Sequence, residues 1–91
     1  MAAVEVRDLL REAPLRLIAG RIRKARRDAD LSLDALAHLA GTSRQHLIGL
    51  EKVRHRPRIE MLTKIAEATG RHVEWFLDPD LDPSPFPGES A

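Results

Sequence analysis

Gly41 constrains this chain more than any other single residue. It stands between two short apolar stripes, Leu36, Ala37 and Ala40 before it and Leu47 and Leu50 after it, each at the spacing of one helical face. Glycine enters the left-handed backbone region at little cost, so a helix is expected to end at Ala40 and the chain to reverse at Gly41. Ser32 and Ser43 stand where N-caps are needed, ahead of Leu33 and Arg44. Ala37, four residues before the glycine, is small enough to let the two helices cross closely.

The flanking sequence keeps the helical period. Val6, Leu9, Leu10 and Ala13 predict a short N-terminal helix, halted because Pro14 disfavours helical geometry at Ala13. Pro14 then opens a helix reaching about Ala29, with Ile18, Ile22, Ala25 and Ala29 on the buried face and the arginines on the other. Beyond the basic loop VRHRPR, Pro57 leads into a fourth stripe, Ile59, Leu62, Ile65 and Ala66, ended by Gly70. A last short helix is expected over 73–77, with Val73, Phe76 and Leu77 turned inward and Trp75 outward. From Asp78 the run DPDLDPSPFPGESA has no period and predicts a disordered tail. The expected organisation is all-α: residues 1–13 as an N-terminal extension, 14–77 as one domain, and 78–91 as tail.

Ninety-one residues support one small core, and with no cysteine that core must rest on packing alone. No apolar run approaches a membrane span, and the acidic start MAAVEVRDLLREA does not read as a signal peptide, so a cytoplasmic protein is expected. His38, His46, His55 and His72 lack metal-ligand spacing, and no carboxylate pair converges with them; neither a metal, a cofactor nor an enzymatic site is expected. Net charge is +1, yet residues 16–58 hold eleven Lys and Arg against four acids, while both flanks are acidic. A positive field confined to the middle of the chain suits a polyanion, although solvated helix faces would give the same pattern.

The run from Leu15 to Leu77, above all DALAHLAGTSRQHLIGLE with its later Pro57, resembles the helix-turn-helix domain of the Cro/C1-type (XRE, phage-repressor) family. The resemblance implies a compact five-helix, lambda-repressor-like fold, to which the N-terminal helix is an addition. It further implies that the helix opening at Ser43 lies with its N-terminal end in the major groove of double-stranded DNA. On that reading Arg44 donates to guanine O6 and N7, Gln45 pairs with adenine, Ile48 meets a thymine methyl, and Gly49 permits close backbone approach. Ser32 and Ser43, at helix N-termini, and Lys52, Arg54, His55 and Arg56 are expected at phosphates. Arg26 and Glu51 match a largely buried ion pair of the family.

Two positions depart from the pattern. Leu33 stands where a glutamine commonly braces a phosphate and the first reading residue, and Val53 stands where a glycine commonly follows the reading helix. The implied activity is transcriptional regulation, expected to be repression, associated with the nucleoid when DNA is bound. An antitoxin that represses its own operon, with a toxin as partner, and a helical protein-interaction module stay open as alternatives. A homodimer on a palindromic operator is expected, because one reading helix spans too few base pairs. Trp75, as the lone outward tryptophan, is its expected contact; in the rival reading the N-terminal helix covers Trp75 within one chain.

Overall fold

In the computed structural model, which describes residues 5–81, α1 covers Val6–Glu12, α2 Leu15–Asp28, α3 Leu33–Ala40, α4 Arg44–Glu51 and α5 Ile59–Thr69. A 3-10 turn over Val73–Phe76 closes the fold in place of the α-helix expected there. Its turns are closed by i→i+3 bonds, from Trp75 N–H to His72 C=O at 3.1 Å and from Leu77 N–H to Glu74 C=O at 3.0 Å.

The helices α2 to α5 all stop in one way. The residue after the C-terminal turn takes positive φ, Asp30 at 57°, Gly41 at 68°, Val53 at 63° and Gly70 at 72°. In each case the next residue's N–H reaches back five positions, as from Thr42 to Ala37 at 2.9 Å and from Arg54 to Gly49 at 3.0 Å. These bonds satisfy carbonyls that a helix end leaves orphaned. At the other ends Ser32 and Ser43 cap α3 and α4, their Oγ atoms accepting from the N–H groups of Ala35 and His46 at 3.0 Å.

Ile18, Ile22, Leu36, Leu47, Leu50, Leu62, Ile65 and Phe76 form the fully buried centre. The predicted N-terminal extension joins the core around that centre: Leu10 and Ala13 are buried, and α1 packs on α5 and the 3-10 turn. Arg56 ties the junction, one Nη donating to the carbonyls of both Leu10 and Ala13 at 2.6 Å. These acceptors lie at the C-terminal end of α1, where the helix dipole favours a cation.

Two expectations about faces fail together. Arg21 does not share the solvent face of α2 with the other arginines, because it lies three residues after Ile18 on the rim of the buried face, and it is buried. Trp75 does not face outward; it is 4% exposed. Its ring lies against the Arg21 and Arg71 guanidiniums, at 4.8 and 3.8 Å from its centroid, and meets Phe76 edge-on. Asp28 holds Arg71 at 2.8 Å. Arginine stems bury well along an aromatic face, so they cover the ring that the apolar count left over. Arg21 also donates to the carbonyls of Trp75 and Leu81 at 2.7 and 2.8 Å, which holds residues 78–81 in a turn where a disordered tail was expected. The remainder of the predicted tail, 82–91, lies outside the described residues.

Candidate nucleic-acid interface

The α3–α4 unit is built around the reversal at Gly41 and Thr42. Ala37 and Ala40 are buried where α4 crosses α3, and Leu47 and Leu50 anchor α4 from its other side. What α4 cannot bury it presents: Arg44 and Gln45 are exposed at its N-terminal end, and Ile48 is half-buried one turn on. Ile48 shares a shallow hollow of about 150 Å³ with Leu33, Arg23, Arg26, Arg27 and Lys52. Leu33 packs its side chain partly on the core, so the position just inside α3 offers an apolar contact and no amide.

Basic groups gather at the C-terminal end of α4. Lys52 and Arg54 are exposed, and Lys52 lines a groove of about 580 Å³ with Arg16, Ala19, Gly20, Arg23, Glu51 and Val53. The exposed Ser32 and Ser43 mark the N-termini of α3 and α4, whose first N–H groups have no partner within the helix.

Glu51 ends α4 with its carboxylate in a cationic clasp. Arg26 binds it through two hydrogen bonds, Nε to Oε2 at 2.8 Å and Nη2 to Oε1 at 3.1 Å, with both side chains largely buried. The remaining Arg26 Nη1 donates to Leu31 C=O at 3.1 Å, which ties the pair to the loop before α3. Arg23 adds a second cation: Nε lies 3.8 Å from the carboxylate, and Nη2 donates to the Glu51 carbonyl at 2.8 Å. Sequence reading passed over Arg23, although its place three residues before Arg26 puts both on one helical face. It also passed over Asp34, whose Oδ1 lies 3.6 Å from Nε of Arg44.

Two of the residues expected at DNA make contacts within the chain. Gly49 is buried, under the ring of His55, and a Cβ there would come 2.5 Å from that ring. The glycine makes room for the loop that follows α4, since the turn at Val53 brings residue 55 back over the helix; it does not face outward to a DNA backbone. His55 in turn stacks on His46, with centroids 4.9 Å apart and planes 16° from parallel. Arg56, exposed overall, directs one Nη to the carbonyls at the end of α1. Among the described residues no group of three or more His, Asp or Glu side chains could hold a metal ion, and no helix is long and apolar enough to cross a membrane.

The family profile HTH_3, described as helix-turn-helix, matches residues 22–76, which include all of α3, α4 and α5. The chain belongs to the helix-turn-helix family. This helix-turn-helix chain is 40% identical over 62 residues to an uncharacterized HTH-type transcriptional regulator of Methanothermobacter thermautotrophicus, a stretch covering 65% of this chain and 90% of that protein. A crystal structure of an HTH_3 family transcriptional regulator from Vibrio cholerae superposes with a TM-score of 0.66 at 33% identity. That match covers 72% of this chain, which spans 37% of the longer Vibrio chain. A hypothetical transcription factor, NHTF, from Neisseria shares the fold, with a TM-score of 0.68 over 88% of this chain and 86% of its own, at 22% identity. The helix-turn-helix family is one of DNA-binding transcription regulators and not of enzymes. Within it α3 and α4 are the two helices of the motif, and the polar end of α4 is its outward face.

Proposed function

We propose that this helix-turn-helix regulator reads double-stranded DNA by placing the N-terminal end of α4 in the major groove, and that it acts as a repressor of the genes beside its site. The observation that carries the reading is the exposure of Arg44 and Gln45 on the one face of α4 that its packing leaves open, next to Ile48. Arginine and glutamine are the side chains whose paired hydrogen-bonding groups match guanine and adenine edges. Lys52 and Arg54, with the N-termini at Ser32 and Ser43, supply the sequence-independent hold on phosphates, to which Arg16 and Arg23 add from the groove beside α4. Occupying a promoter in this way excludes polymerase by volume alone, which needs no further part of the molecule.

One copy of α4 spans too few base pairs to pick a single site, so the site is a palindrome and two chains bind it. With Trp75 covered inside its own chain, the contact between them lies on another surface. The test is binding of the purified chain to a pool of random-sequence duplexes, with affinity followed against salt and the bound fraction sequenced. The expected result is a steep loss of affinity with salt and enrichment of one symmetric sequence; salt-independent or absent binding would overturn the reading. Replacing Arg44 or Gln45 by Ala should cost about 1–3 kcal/mol on the enriched duplex and far less on random duplex. Arg54→Ala should weaken both and reduce the salt slope by about one.

A further inference from the structure

Asp34 is the second residue of α3, and its carboxylate oxygen Oδ1 lies 3.6 Å from Nε of Arg44, the first residue of α4. Both side chains are well exposed, at 78% and 58%. In water such a pair contributes little to stability, so its meaning lies in its direction. A guanidinium carries its five N–H groups in a rigid planar fork. With Nε the nitrogen nearest Asp34, the two terminal nitrogens are left as the pair that guanine O6 and N7 can accept from. The neighbouring position cannot do this bracing, because Leu33 has an apolar side chain packed partly on the core.

We propose that Asp34 is a specificity-determining residue that acts through Arg44. Resting on the reading of α4 as the groove-binding helix, the proposal assigns Asp34 two effects. When DNA displaces water from the groove, the ion pair strengthens and holds the Arg44 fork in line with one guanine. Where the base is not guanine, Arg44 gains less from the groove, and a carboxylate is left beside phosphates that repel it. The first effect favours the correct site, and the second penalises the others. An acid in a first turn also interacts favourably with the helix dipole, which is a stability effect and does not depend on the base sequence.

The experiment uses the full chain and a pool of random-sequence duplexes, selected in parallel with wild type, Asp34→Ala, Asp34→Asn and Arg44→Ala. The expected result is a guanine enriched by wild type at a position where Arg44→Ala enriches none. Asp34→Ala should prefer guanine there about tenfold less than wild type while binding random duplex as tightly or more tightly. Asp34→Asn, which keeps an oxygen acceptor but no charge, should fall between. Discrimination is a ratio measured on one sample, so a loss of folded protein cancels from it. An Asp34→Ala protein that selects the same guanine as strongly as wild type would overturn the proposal and leave the groove-binding reading standing. A wild type that enriches nothing, or an Arg44→Ala protein whose selected sequence is unchanged, would instead remove the reading on which the proposal rests.

Discussion

The ring of His55 lies over Gly49, so near that a Cβ on residue 49 would stand 2.5 Å from Cε1. This glycine sits in the last turn of α4, where it costs about 0.8–1 kcal/mol relative to alanine in helix propensity. Gly49→Ala therefore recovers propensity and displaces a flexible, exposed side chain, not backbone. The expected outcome is a stability change within about 1 kcal/mol of zero, together with loss of the stack between His46 and His55. Urea denaturation and the imidazole proton shifts of the two histidines check both halves. An intact stack in the variant would refute the packing role of the glycine.

Val53 is the β-branched member of a set whose other positive-φ residues are two glycines and an aspartate. A left-handed conformation at such a residue stores about 1–3 kcal/mol, while glycine would return about 0.5–1 kcal/mol through the entropy of the unfolded chain. Val53 is 39% exposed, so little burial is lost on removing its side chain. Val53→Gly should raise stability by about 1 kcal/mol, seen as a higher midpoint in urea with an unchanged slope. A lower midpoint would mean that the valine makes up for its strain through packing.

Arg56→Ala should loosen α1 without removing a DNA contact. It deletes the single Nη that donates to both the Leu10 and Ala13 carbonyls, at an expected cost of about 1–2 kcal/mol given the exposed position of Arg56. Hydrogen exchange should quicken at the amides of α1 more than at those of α4, and the salt slope of binding to random duplex should stay near its wild-type value. A slope reduced by about one would return Arg56 to the phosphates.

Glu51→Ala leaves Arg26 largely buried with no carboxylate, and breaking such a pair costs about 3–5 kcal/mol. Arg23→Ala should cost less, because that side chain is 43% exposed, approaches the carboxylate only at 3.8 Å and otherwise loses one hydrogen bond to the Glu51 carbonyl. Thermal melting of the two variants beside wild type checks the ranking. Equal losses would make Arg23 a full member of the pair.

Local spacing determined much about this protein. The stripes of α2, α3, α4 and α5, the serine caps at 32 and 43, and the reversals at Gly41 and Gly70 follow from helical period and backbone permissiveness, which act over a few residues and are written in neighbouring letters. That Arg44, Gln45 and Ile48 fall off the buried face of α4 follows from the same period, and so does the membership of Leu10 and Ala13 in an apolar stripe.

Where distant segments meet was decided by tertiary structure alone. Trp75 looked surplus to its own short helix, yet Arg21, 54 positions earlier, donates to its carbonyl and lies on its ring. Arg56 looked like one more basic loop residue, yet it closes on carbonyls 43 and 46 positions back. Gly49 looked like an open backbone until the loop after Val53 returned His55 across it. Long cationic side chains can satisfy their donors on any carbonyl within reach, and periodicity says nothing about which carbonyl that will be. The choice is made when packing of the apolar stripes fixes how the helices lie against one another, and it is then that a charge becomes a clasp, a cover for an aromatic ring or a hand free to meet DNA.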